Sequence, residues 1–307
     1  MTTAECVVDC RNHLGEGAYW DAERGLLWWL DVPMPSKLFA LDPISGTVTS
    51  HDMPEMITSL CRRAGRDSFL IASHGGLNFW DEASGLRHVL RPEPDKPFNR
   101  CNDGAADAQG RFWFGTMQNN LAPNGAPIDL VEASGTLYRL DADMSLHAME
   151  TDILISNTVC WSPDRATMYF CDTATGWISA YDFDEAAGTI ANKRQFASFD
   201  RGVPDGSTVD AEGGLWNARW DGSCVVRFAP DGSVDRVIEV PCPLVTSCAF
   251  GGADLDTLFI TTARYLQDDD ALAETPQAGG LFAVKPGVRG MPDGRFAGYK
   301  PAAVPSA

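Results

Sequence analysis

Short apolar segments alternate with turn-forming residues along nearly the whole chain, and they recur at a regular interval. Six segments consist of a tight turn followed by a strand rich in aromatic and β-branched residues, a composition typical of buried β-strands. Two of them are close copies, NDGAADAQGRFWFG at 102–115 and PDGSTVDAEGGLWNA at 204–218. The turns begin at intervals of 42, 44, 55, 48 and 42 residues, at Asp21, Arg63, Asp107, Ser162, Asp210 and Gly252. The chain therefore carries an internal structural repeat.

A second series of six apolar segments interleaves with the first. Each member alternates apolar and polar positions and then reaches a turn, as in KLFALDPISG at 37–46 and GLNFWDEASG at 76–85. Repeats of about 40 to 50 residues with several short strands are typical of β-propeller blades. The sequence thus predicts an all-β, six-bladed β-propeller in which residues 1–307 form one domain. A WD40 propeller is disfavoured, because the Trp-Asp pairs at 20, 80 and 220 fall at different places within their repeats.

The two chain ends carry separate expectations. A strand near Cys6 to Asp9 is expected to pair into the last blade, since this removes an exposed sheet edge. Residues 290–307 are rich in Pro, Gly and Ala and are expected to form a loosely held tail.

Charge and cysteine content narrow the class of partner and the compartment. The net charge is −18, which disfavours nucleic acids and anionic membranes because their phosphates would be repelled. The nine cysteines are odd in number and contain no C-x-x-C pair, which favours reduced thiols in a cytosol. The first residues lack the basic start and apolar core of a secretory signal. A cytoplasmic protein with a small-molecule ligand is expected, and its oligomeric state stays open.

Polar side chains occupy the same position in four repeats, five residues before the turn. In a propeller this position opens the innermost strand of a blade, so these residues are expected to face a common axis. Buried carboxylates need a countercharge, and two carboxylates with one amide oxygen would suit a divalent cation. An ordinary turn is the alternative interpretation for each residue taken alone. The four residues are Glu16, Asn102, Asn157 and Asp205, of which Glu16, Asn157 and Asp205 are the predicted metal ligands.

The chain resembles the regucalcin, gluconolactonase and luciferin-regenerating enzyme family of six-bladed propellers, and most closely its bacterial sugar-acid lactonases. The resemblance runs from about Ala4 to about Pro286. The resemblance implies metal binding by Glu16, Asn157 and Asp205 and substrate binding by Arg100 and Asn102. One departure is Thr158, where the family often has glycine. The matching segments are LGEG, NRCNDG with DAQGRFWFGTM, SN with WSPD, PDGSTVDAEGGLW, and CAFGG with TLFITTA.

All-oxygen ligation favours Ca²⁺, Mg²⁺ or Mn²⁺, and Ca²⁺ above all. Family members also use Zn²⁺ and Fe²⁺, so the identity of the ion stays open. A single divalent ion is expected to polarise a lactone carbonyl, with Asp205 as the general base. Arg100 and Asn102 can hydrogen-bond the hydroxyl groups of a sugar. For Asp103 two interpretations remain, that it orients Arg100 or that it only forms the turn.

The expected activity is metal-dependent hydrolysis of a sugar-acid lactone to the aldonic acid, a step of carbohydrate metabolism. Glucono-, xylono-, arabinono- and galactonolactone are the candidate substrates. The alternatives are a related metal-dependent esterase or phosphotriesterase, and a non-catalytic metal-binding propeller. Long segments at 118–134 and 265–279 are expected to emerge on the ligand face as lids. Whether they or Glu132 contact substrate is left open.

Overall fold

Six β-sheets surround a central axis and form a six-bladed β-propeller, which confirms the predicted fold class. The computed structural model describes residues 2–298. The strands are β1 (Thr2–Thr3), β2 (Glu5–Val8), β3 (Gly15–Asp21), β4 (Leu26–Asp31), β5 (Lys37–Asp42), β6 (Thr47–Asp52), β7 (Ile57–Arg62), β8 (Phe69–Ser73), β9 (Gly76–Asp81), β10 (Gly85–Leu90), β11 (Asn99–Ala106), β12 (Phe112–Gln118), β13 (Gly135–Leu140), β14 (Leu146–Ile153), β15 (Ser156–Trp161), β16 (Thr167–Asp172), β17 (Trp177–Asp184), β18 (Thr189–Ser198), β19 (Val203–Val209), β20 (Leu215–Trp220), β21 (Cys224–Phe228), β22 (Val234–Glu239), β23 (Val245–Gly251), β24 (Thr257–Thr262) and β25 (Leu281–Val284).

Helical structure is minor in residues 2–298. It consists of one helix, α1 (Asp269–Glu274), and a 3₁₀ turn at Thr173–Thr175. No helix among the described residues has the length and apolar character needed to cross a membrane.

In each blade the first three strands run outward from the axis in chain order. The six first strands, which contact one another in a ring, are β3, β7, β11, β15, β19 and β23. The turn-and-strand units of the sequence become the second strands, and the second apolar series becomes the third strands. The period of the sequence therefore corresponds to one blade.

The ring closes through the N-terminal segment, as the sequence predicts. Strand β2 pairs antiparallel with β25 and completes the sixth blade, with Cys6 opposite Phe282. The hydroxyl of Thr246 on β23 also donates to the carbonyl oxygen of Gly15 on β3 at 2.5 Å, which joins the last inner strand to the first. Strand β1, which the sequence did not predict, pairs in parallel with β22 and gives the fifth blade a fifth strand.

The two near-identical sequence segments build the same buried polar cluster in the third and fifth blades. Asp107 caps its own turn through the N–H groups of residues 109 and 111 and accepts the indole N–H of Trp113 at 2.9 Å. Asp210 accepts the corresponding indole N–H of Trp216 at 2.7 Å and binds the Arg227 guanidinium, also at 2.7 Å. Both tryptophans are fully buried between blades. The aspartate at this repeated position thus links its turn, by a hydrogen bond, to a tryptophan of the adjacent core.

The segment 290–298 differs from the loosely held tail that its composition suggested. Phe296 is fully buried, and its N–H and carbonyl groups each bond the second blade at 2.8 Å, to the carbonyl of Arg62 and the N–H of Ala64. Ala297 donates to the third blade, and Gly290 donates to the sixth. We call residues 289–298 the strap. Main-chain hydrogen bonds to several blades explain its order, and residues 299–307 of the expected tail lie outside the described part of the chain.

Candidate metal and substrate site

The inner strands all break their register near the same level of the axis. In β3 the shift lies between Glu16 and Tyr19, in β15 between Asn157 and Val159, and in β7, β11, β19 and β23 at the equivalent place. A β-bulge leaves one or two residues unpaired and redirects their side chains. Asn102 and Asp205 lie within these unpaired stretches, and Glu16 and Asn157 directly precede them.

Asn102 and Asn157 meet across the third and fourth blades. The Asn102 side-chain amide donates to Asn157 Oδ1 at 3.0 Å and to the carbonyl oxygen of Ser156 at 2.7 Å. Asn157 donates in turn to the Thr173 hydroxyl at 2.8 Å. Asn157 is only 5% exposed. Its amide oxygen is thus held in place and keeps a second lone pair for another partner.

Glu16 and Asp205 interact electrostatically from the first and fifth blades. Burial raises the pKa of Glu16 to about 8, and the Asp103 carboxylate adds to the rise. Burial also raises the pKa of Asp205 well above its ordinary value. The negative charges of Glu16 and Asp103 raise this pKa further. The charges of Arg100 and Arg219 oppose these rises but do not cancel them, so the enclosed carboxylates need further positive charge in order to ionise together. A dication would supply that charge.

The donor set fits a hard divalent cation. Asp205 is 6% exposed, and within residues 2–298 its buried Oδ1 has no hydrogen-bond partner. Across the same residues, no group of three or more His, Cys, Asp or Glu side chains is arranged to hold a metal ion. A metal at this level of the channel would therefore need an amide oxygen beside the two carboxylates, as in the predicted set of Glu16, Asn157 and Asp205.

Arg100 lies beside these residues with its guanidinium already oriented. It donates to Asn102 Oδ1 at 2.5 Å, to Asn120 Oδ1 at 2.8 Å and to the carbonyl oxygen of Cys101 at 2.9 Å. Burial lowers its pKa to about 10, and the charge of Glu16 opposes this shift. The Asp103 carboxylate instead accepts the N–H of Gly104 at 2.8 Å. The two asparagines, rather than Asp103, thus orient Arg100.

Asn120 is the residue that sequence reasoning missed. It belongs to the long segment after β12, and its position next to Arg100 brings that segment to the predicted ligands. The Glu132 side chain, considered in the sequence, is exposed, and its main-chain N–H bonds Gln118. The signal available was the Asn-Asn pair at 119–120, which directly follows the second strand of the third blade. His13 contacts both long segments. Its ring nitrogen Nε2 is hydrogen-bonded to the carbonyl oxygen of Gly125, and its ring packs against that of Tyr265.

A separate cavity of about 520 Å³ occupies the channel on the other side of the predicted ligands. Its walls are the later residues of the inner strands, and the strap closes it with Asp293 and Gly294. Asp103 borders it, whereas Glu16, Asn157 and Asp205 do not. Enclosure of the Asp293 carboxyl raises its pKa to about 7, with the N–H of Trp20 opposing the shift. This cavity is therefore not lined by the predicted metal ligands.

The chain belongs to the family of the SMP-30/Gluconolactonase/LRE-like region, whose model matches residues 14–264. The match includes all five predicted site residues. Together with the six blades, it confirms the resemblance noted from the sequence motifs.

Similar proteins cover nearly the whole chain. A 6-deoxy-6-sulfogluconolactonase of Pseudomonas putida is 36% identical over 96% of this chain and 99% of its own length. An L-arabinolactonase of Azospirillum brasilense is also 36% identical, over 96% of each chain. Among solved structures, a calcium-binding protein, regucalcin, from Agrobacterium tumefaciens is 32% identical. It has a TM-score of 0.88 and covers 96% of this chain and 97% of its own.

Proposed function

We propose that this protein hydrolyses a sugar-acid lactone to the corresponding aldonic acid with the help of one divalent metal ion. The observation that supports the proposal is that the enclosed carboxylates of Glu16 and Asp205 interact electrostatically, while Asn157 Oδ1 accepts from Asn102, which in turn accepts from Arg100. The names of the lactonase relatives support the substrate class. Glucono-, xylono-, arabinono- and galactonolactone are the substrates to test.

Arg100 and Asn102 bind and orient the sugar. A guanidinium presents a planar fork of donors, and an amide presents both donors and an acceptor, which suits the hydroxyl groups of a polyol. The Asn120 side chain holds one arm of the guanidinium, so little conformational entropy is lost when substrate binds. This arrangement favours hydroxylated lactones over aryl esters, which offer few groups for these donors.

Asp205 is the proposed general base. Its carboxylate accepts a proton from a water molecule as the water oxygen attacks the lactone carbonyl carbon. The bond between the carbonyl carbon and the ring oxygen then breaks, and the proton passes to the ring oxygen, which becomes a hydroxyl group of the open acid. A divalent cation held by Glu16, Asn157 and Asp205 would stabilise the negative charge that develops on the carbonyl oxygen.

The ion and the compartment are part of the same proposal. Ca²⁺ is favoured because all three protein ligands are oxygens, and Mg²⁺, Mn²⁺, Zn²⁺ and Fe²⁺ are the competitors. All nine cysteines, which lie within the described residues, are free. This supports a reducing location such as the cytoplasm.

The test is a ring-opening assay on chelated protein to which each of the five metals is returned separately. We expect turnover of at least one aldonolactone, and loss of at least 100-fold in the Glu16→Gln and Asp205→Asn variants. Glu5→Gln, an exposed carboxylate on the outer strand β2, is the matched control and should keep full activity. Full activity of the chelated protein or of the Glu16→Gln variant would refute the proposal. Turnover of phosphotriesters with no turnover of aldonolactones would redirect it to the esterase class.

A further inference from the structure

Thr158 has an unusual main-chain conformation directly after the predicted ligand Asn157. Its φ of 56° lies in the left-handed region, which is rare for β-branched residues. The equivalent residue after Glu16 is Gly17, with a φ of 61°. Glycine adopts this conformation without steric cost, whereas threonine does not. The first blade thus has glycine at this left-handed position. In the fourth blade the surrounding structure must accommodate the side chain of a threonine.

The side chain of Thr158 is fully buried and bonds the next blade. Its hydroxyl donates to the carbonyl oxygen of Asp205 at 2.5 Å and lies 2.8 Å from the hydroxyl of Ser207. Its main-chain N–H faces the Asp103 carboxylate of the third blade. One residue therefore contacts the main chain of one predicted ligand, directly follows another, and meets the strand that carries Asn102.

We propose that Thr158 is a positioning residue for the metal site, and that its hydroxyl sets the spacing between the Asn157 and Asp205 oxygens. The inference rests on the proposed metal-dependent function. Ca²⁺ accepts oxygen ligands only within about 2.3–2.6 Å, so a small shift of β19 relative to β15 weakens binding. A residue under conformational strain is retained where the surroundings hold it in place, commonly at functional sites. The hydroxyl bond to Asp205 is that restraint.

The experiment measures cation affinity by calorimetry on chelated protein, with Ca²⁺ and Mn²⁺ as the probes and no substrate present. We expect Thr158→Val, which lacks the hydroxyl but keeps the branched shape, to bind at least tenfold more weakly. Thr158→Ser, which keeps the hydroxyl, should stay within threefold of the unaltered protein. Thr158→Gly should fold, since glycine accepts a φ of 56°, and should also bind at least tenfold more weakly.

A control substitution tests whether glycine at any left-handed position alters cation affinity. Asn192→Gly places glycine at another left-handed position, on the exposed outer strand β18, and should leave cation affinity unchanged. Affinity of Thr158→Gly or Thr158→Val equal to that of the unaltered protein would overturn the inference, as would equal losses in Thr158→Ser and Thr158→Val. Absence of cation binding by the unaltered protein would instead remove the proposed function itself. The two failures are therefore distinguishable.

Discussion

Truncation of Phe296 tests whether the strap is an integral part of the fold. Its ring is fully buried and packs against Phe79, with 6.4 Å between the ring centroids. Replacement of a buried phenylalanine by alanine costs about 3–5 kcal/mol, because apolar contact is lost and a cavity remains. For a chain of this size, about 2 °C of melting temperature is lost per kcal/mol, so Phe296→Ala should melt roughly 6–10 °C lower. Catalysis should change little, since the strap lies at the other end of the channel from the predicted ligands.

The assay is equilibrium unfolding in urea, followed by tryptophan fluorescence, together with lactone turnover on the same samples. Phe98→Ala is the matched control, because Phe98 is 79% exposed and its loss should hardly alter the free energy of unfolding. A change of less than 1 kcal/mol for Phe296→Ala would refute the reasoning. It would mean that the contacts of the strap contribute no net stability to the six blades.

Three further predictions concern the blades and the substrate side of the site. Asp210→Ala should lower the free energy of unfolding by about 3 kcal/mol, because it leaves the buried Arg227 guanidinium without its closest carboxylate. Deletion of residues 1–9 removes β2 and exposes the edge of β25, so the protein should aggregate, as seen by size-exclusion chromatography. Asn120→Ala should raise the KM for lactones about tenfold at unchanged cation affinity, since it releases one arm of Arg100.

Each of these predictions has its own control and its own contradiction. Asp231→Ala alters an exposed turn aspartate and should leave the urea midpoint unchanged. If Asp210→Ala changed the midpoint no more than Asp231→Ala does, the buried cluster would have no special role in stability. A monomeric, soluble protein without residues 1–9 would show that β2 is dispensable for closure. Asn124→Ala changes an exposed asparagine in the same segment as Asn120 and should not affect KM. A loss of cation affinity in Asn120→Ala would contradict its assignment to the substrate side.

Much of the fold was predictable because blade strands carry their signal locally. The strand predicted after the turn at Ser162 corresponds to β16, and the strand predicted after the turn at Asp210 corresponds to β20. Because such short strands recur about every 45 residues, their number predicts the number of blades. The pairing of residues 5–8 with the last blade followed from the need to cover a sheet edge.

The parts that were not predicted depend on contacts between distant segments. The strap has little apolar periodicity, and its order comes from main-chain hydrogen bonds that any sequence could make, with Phe296 as its one fully buried aromatic ring. The position of Asn120 depends on the path of a long segment, which has no periodic pattern to place it. The conformation of Thr158 was hidden because a β-branched residue is not expected at a positive φ. Shared register predicts that Glu16, Asn157 and Asp205 face the axis, but the bulges beside them leave no mark in the spacing.

Closure of the last blade by β2 has a consequence for the biosynthesis of this protein. Glu16 belongs to the first blade and is translated before the sixth, yet the inner strand beside it is β23, whose Thr246 bonds Gly15. A nascent chain on the ribosome therefore holds an early carboxylate that has no neighbour on one side until the sixth blade has emerged. If a closed ring is needed to hold the proposed ion, its uptake would report the moment at which the ring is complete.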